Sequence, residues 1–370
     1  METPPTDTRA EAFRCPTCDA ELTFDAASQA LRCAHCDATV EIQATDGEGD
    51  QSIVEYDLES GLAVAERGLG VDRRAARCGE CGAVVTYEGT VAATRCDFCG
   101  SAQVLDQTAN RRAIRPESLV PFQVDRDRAI GAFARWLGRL WFRPSDLTRR
   151  ASTVELMGVY VPYWAFDARV HSQWTAQAGT YYWDTERYTT TDAGGRRVTR
   201  TRRVRKVRWR WTRGERTDRY DDLLVCGSRG LPEALADRLE PFDTRQLVPY
   251  RAEYLAGWRA EEYAVDLNDA WALAVSRMES SQRARCARDV PGDTYRFLRV
   301  RNEFFDERFK HVLLPVWVAA YRYRDRVYRF LVNGQTGEVV GAAPWSAWKI
   351  SGVVALAIAA IAAVWWFAIR

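Results

Sequence analysis

Hydrophobic and polar positions follow different periods along this chain, and each period predicts a different element. The longest signal comes last: ISGVVALAIAAIAAVWWFAI (350–369) runs for twenty positions without a charge. As a helix rising about 1.5 Å per residue it covers about 30 Å, the thickness of a bilayer's hydrocarbon core, which predicts a transmembrane span. Trp345 and Trp348 precede it and Trp365 and Trp366 lie near its end, where interfacial anchors belong; Lys349 and Arg370 bracket the run. Helical periodicity behind an Asp cap marks VDRDRAIGAFARWLGRLW (from Val124) and VDLNDAWALAVSRM (from Val265). Each is followed further on by an alternating aromatic and β-branched segment, GVYVPYWAFDARV around Pro162 and HVLLPVWVAAYRY around Pro315. Both share the form V-x-x-P-x-W, and their prolines predict strand starts or edge strands. The second continues as VYRFLVNGQTGEVVG, where Asn333-Gly334 opens a loop between strands.

Short alternating segments near the N-terminus sit inside a cysteine pattern. The spacing C-x2-C-x14-C-x2-C occurs twice, at Cys15, Cys18, Cys33 and Cys36 and again at Cys78, Cys81, Cys96 and Cys99. The copies superpose at an offset of 63, which also matches Arg14 with Arg77, Ala20 with Ala83, Thr23 with Thr86, Phe24 with Tyr87 and Arg32 with Arg95. Each CxxC predicts a tight knuckle, and the alternation between knuckles predicts a β-hairpin that brings one pair against the other. Four thiolates complete the tetrahedral shell of Zn²⁺ and leave no position for water, so two structural zinc ribbons are expected, without hydrolytic chemistry. So short a module has too little core to fold alone, and metal binding supplies the missing free energy. A redox CxxC calls for one exposed pair near a βαβ unit, which is absent here. His35, inside the second knuckle, is a bystander beside four cysteines. Cys226 and Cys286 are lone, and Cys226, in the apolar run DDLLVCG, reads as a small buried hydrophobe.

Composition changes this picture in two ways. METPPTDTRAEAF carries no apolar h-region, so no secretory signal is visible; paired cysteines in a reducing compartment are metal ligands, and the bulk of the protein is expected in the cytoplasm. The net charge of +2 hides an asymmetry: residues 1–105 carry 8 Lys/Arg against 19 Asp/Glu, a balance of −11, and the remainder sits at +13. Ribbons that acidic repel a phosphate backbone, so protein contact or a purely structural role is expected of them. The opposite charge concentrates in RRVTRTRRVRKVRWRWTR (Arg196–Arg213), with Trp209 and Trp211 interleaved. That tract suits a solvated hairpin, an anionic membrane surface or single-stranded nucleic acid; a bilayer tether makes lipid the nearer polyanion and nucleic acid the weaker alternative. Adjacent carboxylates at Asp221-Asp222 and Glu261-Glu262 read as ordinary surface. No phosphate loop, HExxH, G-x-S-x-G elbow or GxGxxG opening a βαβ unit is present, so no enzyme is expected. Ser351, Ala355, Ala359 and Ala363 form a small-residue row through which two spans could self-associate.

The predicted architecture is α+β. Zinc ribbon 1 covers 1–44, a linker that could form a helix 45–74, zinc ribbon 2 75–106, a duplicated helix-plus-antiparallel-strand domain 107–345, and a C-terminal anchor 346–370. Taken together, the ribbons, LVPFQVD (119–125), GVYVPYWAFDA (158–168), DDLLVCGSRGLP (221–232), LEPFDTRQLVPYRAEYLAGWRAEEYAVDLNDAW (239–271), LPVWVAAYRY (314–323) and VNGQTGEVVG (332–341) resemble a bacterial family. Its members are membrane-linked double zinc-ribbon proteins of unknown function, often labelled primosomal N′-like or helicase-like. The helicase label implies an ATP site, for which this sequence has no phosphate loop. The resemblance implies instead a tail-anchored adaptor or scaffold in membrane stress, alongside phage-shock-type and band-seven (SPFH) membrane proteins. Thr189–Arg205 falls outside it.

Overall fold

The computed structural model describes residues 13–42, 53–64, 74–87, 96–99, 101, 104–108, 113–143, 156–191, 193–239, 241–323, 326–341 and 346–369. The strand return expected at 88–95, Trp345 and Arg370 lie outside the described residues. The fold is mixed α+β. Its strands are β1 (Leu22–Asp25), β2 (Ala30–Cys33), β3 (Thr39–Val40), β4 (Tyr56–Asp57), β5 (Arg74–Cys78), β6 (Val84–Tyr87), β7 (Val104–Thr108), β8 (Ser118–Leu119), β9 (Met157–Thr191), β10 (Arg197–Cys226), β11 (Val248–Pro249), β12 (Arg259–Glu262), β13 (Thr294–Tyr323), β14 (Arg326–Asn333) and β15 (Val339–Gly341). The helices are α1 (Gly61–Val64), α2 (Arg126–Gly138), α3 (Glu233–Leu239), α4 (Leu267–Asp289) and α5 (Ala347–Ile369).

The first ribbon forms its own sheet, β1-β2-β3, and its hairpin pairs Leu22 with Cys33 and Asp25 with Ala30. The large sheet runs β11-β8-β13-β9-β12-β6-β5-β7, so the second ribbon's strands continue it through the antiparallel β6–β12 pair. The chain divides into two units. One comprises residues up to Ala165, Leu224–Ala270 and Lys310 onward; the other comprises Phe166–Leu223 and Trp271–Phe309.

Within the first unit the two V-x-x-P-x-W segments are treated alike. Pro162 and Pro315 lie inside β9 and β13, the central strands, and not at strand starts or edges as expected. The reason is local. A proline has no N–H to give across a ladder. The carbonyl of Pro162 accepts from the Gly227 amide and that of Pro315 from the Gly334 amide, both at 2.8 Å. Each glycine's own carbonyl, which a non-proline amide would have occupied, turns to the backbone just before a helix. Gly227 O accepts from Ala264 N (2.8 Å) and Val265 N (3.0 Å), and Gly334 O accepts from Gln123 N and Val124 N (both 2.9 Å). The tryptophans close the same joints: Trp164 Nε1 donates to Val265 O (3.0 Å) and Trp317 Nε1 to Val124 O (2.8 Å). The next residue in each case is the Asp that precedes the helix. Asp125 caps α2 by accepting from Arg128 N (2.8 Å), and α4 begins directly after Asp266. The neighbouring strands correspond too, since β8 pairs in parallel with β13 at Val312–Leu313 and β12 with β9 at Val159–Tyr160.

The second unit combines the distal parts of β9 and β10, the first half of β13 and most of α4. Trp174, Ala176, Leu298, Cys286 and Val290 form its core, which places one face of these strands under α4. Cys286 is fully buried, whereas Cys226 is half-buried against the core of the first unit. Helix α5 is long and apolar enough to cross a membrane, and its side chains from 351 to 366 are exposed.

Candidate metal centres

Each CxxC is built as the same turn. The first cysteine's amide donates to a carbonyl five residues on: Cys15 to Ala20 (2.8 Å), Cys33 to Ala38 (2.9 Å), Cys78 to Ala83 (2.9 Å) and Cys96 to Ser101 (2.8 Å). Its carbonyl accepts from the residue four on, which is Asp19, Asp37 or Gly82 in three of the knuckles. Those residues have φ of 58°, 57° and 78°, the left-handed region that Gly enters freely and Asp tolerates. The turn aims both sulfurs of a pair to one side.

The eight sequence-predicted ligands come together as two groups of four, and within each group all sulfurs lie within 4.8 Å of one another. The closest approaches are 3.5 Å for Cys15–Cys36 and Cys18–Cys33, 3.5 Å for Cys78–Cys99 and 3.6 Å for Cys81–Cys96. None of the eight is in a disulfide. A Zn²⁺ with Zn–S bonds of about 2.3 Å requires tetrahedron edges of about 3.8 Å. Spacing and donor set therefore fit a zinc ion in each group. Cys15, Cys33, Cys78, Cys96 and Cys99 are buried, Cys18 and Cys81 half-buried, and Cys36 exposed. His35 is exposed and lies outside the first group.

Both centres are gripped by one short stretch, residues 252–262, a role that the alternation of hydrophobic positions did not reveal. On the first ribbon, Phe24 N donates to Ala256 O (2.9 Å), Trp258 Nε1 donates to Phe24 O (2.8 Å), and the Phe24 and Tyr254 rings meet edge-on. Gly257 makes the approach possible: at φ +74° a Cβ there would stand 2.6 Å from Thr23 Cγ2. Trp258 then stacks on Phe122 at 4.0 Å, in the core that also holds Cys15 and Cys33. On the second ribbon, β12 pairs with β6, Thr86 Oγ1 donates to Ala260 O (2.9 Å), and Arg259 pairs with Asp97, which lies between Cys96 and Cys99.

The chain is 26% identical over 262 residues to the uncharacterized protein YdjG of Bacillus subtilis (strain 168), a match covering 68% of this chain and 70% of that protein. No family model and no solved structure matches the chain.

Two further expectations can be placed. Glu261, read as surface from sequence, is 2% exposed; it lies on β12 opposite Val85, and the β12–β6 pairing carries it indoors. Ser228 Oγ donates to its Oε1 (2.7 Å) while accepting from Gly230 N and Leu231 N, and its Oε2 has no partner among the described residues. Burial pushes its carboxyl up to about 8, against the bond from Ser228. The Arg-rich tract is one arm of the β9–β10 hairpin, and much of its charge is matched. Lys206 pairs with Asp184 (2.7 Å) and Glu186 (3.1 Å), and Arg202 with Glu186 (3.4 Å). Arg203, Arg205 and Arg208 lie over the rings of Trp183, Tyr181 and Tyr182.

Proposed function

We propose that this protein is a non-catalytic scaffold, tethered to the cell membrane by α5 with its bulk in the cytoplasm. Two structural zinc ions would brace its ribbons onto the α+β body. The carrying observation is the shared grip: residues 252–262 bond to both ribbons, so each four-cysteine cage is a strut inside the fold. Sulfur-only shells of this kind have no open position for water or substrate. The matched hydrogen bonds around Pro162 and Pro315 support reading 107–345 as two intertwined repeats, in which each repeat's helix start is completed by the other's Pro–Trp strand. An anionic bilayer surface remains the nearest polyanion for Arg196–Arg213. Nucleic acid is the weaker reading, because stacking and ion pairs already engage much of that tract. The partners implied by the family resemblance, phage-shock-type and SPFH membrane proteins, belong to this proposal, as does self-association of the spans.

The test combines metal content with membrane cross-linking to an SPFH or phage-shock-type protein made in the same cells. Wild-type protein should hold two zinc ions per chain and give a cross-link; Cys78→Ser/Cys81→Ser should hold one and lose it. A metal-free wild type, or a cross-link indifferent to the loss of metal, would refute the scaffold reading.

A further inference from the structure

In the second unit, an open groove of about 570 Å³ is lined by Gln173, Thr175, Arg213, Glu215, Arg299 and Arg301, with Trp174 and Gly214 beneath. Strand alternation sets these polar side chains on the face opposite the Trp174–Leu298 core under α4. Two side-chain bonds fix the register across three strands: His171 Nδ1 with Thr217 Oγ1 (3.0 Å) and Ser172 Oγ to Asn302 Oδ1 (2.8 Å). Counting from them, Thr175 stands between Arg213 and Arg299, and Gln173 between Glu215 and Arg301. Strands two apart are separated by roughly 10 Å, so guanidinium groups reaching inward from both sides can hold one anion between them.

The charges here are unlike those nearer the hairpin tip. Among the described residues neither Arg213 nor Arg299 has a carboxylate or an aromatic ring as partner, while Arg301 meets Glu303 loosely at 3.5 Å. The groove's one carboxylate, Glu215, faces His171 at 3.9 Å. Three cations against one anion leave a local excess of two, inside a unit that carries 22 Lys/Arg against 14 Asp/Glu. Gly214 belongs to the floor, and on the core side of that floor a Cβ there would stand 2.4 Å from Trp174 Cζ2, so glycine lets the strand lie close over the buried indole. Trp174 is 5% exposed and its Nε1 has no hydrogen-bond partner among the described residues, an uncommon state for a buried donor.

We propose that this groove binds a phosphate group, held between Arg213 and Arg299 with Thr175 and Gln173 as neutral donors. Guanidinium forks match phosphate oxygens two at a time, and a groove of this volume leaves room for the remainder of an ester. A lipid headgroup and a free phosphate offer the same chemistry, and two probes separate them. Full-length protein in nonionic detergent is titrated calorimetrically with inorganic phosphate and, separately, with dihexanoyl phosphatidylglycerol. At least one probe should bind, and Arg213→Ala/Arg299→Ala should weaken it tenfold or more. Thr175→Trp, which fills the space between the two guanidinium groups without removing charge, should do the same. Arg203→Ala/Arg205→Ala, at residues stacked on Trp183 and Tyr181, should leave binding within twofold. Binding of the lipid alone assigns a headgroup; binding of inorganic phosphate assigns a soluble ligand. If neither probe binds, or if removing Arg203 and Arg205 weakens binding as much as removing Arg213 and Arg299, the site does not exist.

Discussion

Replacing Glu261 by Gln should change how stability responds to pH, and the sign follows from its burial. The carboxyl titrates at about 8 in the folded protein against an ordinary 4.5. Below pH 4.5 both folded and unfolded chains keep the proton, and the side chain's full contribution is present. Between 4.5 and 8 the unfolded chain releases the proton and the folded one holds it, so stability falls as pH rises. The loss is complete once pH has passed the folded value. At about 1.4 kcal/mol per unit, this displacement amounts to at most about 4–5 kcal/mol. Glu261→Gln keeps an acceptor for Ser228 and has no proton to lose, so the variant should gain on the wild type steadily from pH 5 to 8. For a chain of this length unfolding as one cooperative unit, about 1 kcal/mol corresponds to about 1.3 °C in Tm, giving a change of roughly 5 °C in the gap. Thermal unfolding of both proteins in nonionic detergent, at fixed zinc concentration, reads it. Protonation of the metal-binding thiolates weakens both proteins alike at the acid end and cancels in the difference. A gap that stays constant or narrows between pH 5 and 8 would show that Glu261 is ionised in the folded state.

The grip on the ribbons makes further predictions. Gly257→Val places a β-branched residue at φ +74° against Thr23 and should cost about 2–4 kcal/mol by denaturant unfolding, with a loss under 1 kcal/mol counting against that contact. Trp258→Ala removes the bond to Phe24 and the stack on Phe122, for about 3–5 kcal/mol, and should accelerate zinc release from the first cage, read with a chromogenic chelator. Cys15→Ser/Cys18→Ser should halve bound zinc by elemental analysis while the second cage stays loaded. Removing residues 347–370 should shift the protein from the carbonate-resistant membrane pellet to the supernatant.

What could be read along the chain was whatever has a local cause. The knuckles follow from cysteine spacing, because two residues between ligands dictate the turn. The hairpin of the first ribbon follows from the alternation in ELTF and LRC, and the Asp125 cap from an acid placed one residue before helical periodicity. The grip of 252–262 was not legible. Its contacts join residues far apart in the chain, 234 positions for Phe24 with Trp258 and 174 for Thr86 with Ala260, and nothing local distinguishes AEYLAGWRAEE from an ordinary loop. Glu261 escaped for the same reason: its burial is imposed by β6, a strand from another part of the chain.

The two prolines join these local and distant effects. From sequence they looked like strand starts or marks of edge strands, since a missing donor weakens a ladder from within. In place, the missing donor frees the carbonyls of Gly227 and Gly334 to receive the amides ahead of α4 and α2. Those glycines are in turn demanded by their surroundings: a Cβ on Gly334 would meet Phe122 at 2.7 Å, and one on Gly227 would meet Pro162 O at 3.1 Å. Proline, glycine and tryptophan therefore operate as one joint, present twice. Giving Pro315 a backbone N–H should set it in competition with Gln123 and Val124 for Gly334 O. Pro315→Ala should then raise amide exchange at Gln123 and Val124 more than at Ala264 and Val265, and Pro162→Ala should do the reverse. Equal exchange at both joints in either variant would mean that the prolines merely tolerate their strands and do not organise the helix starts.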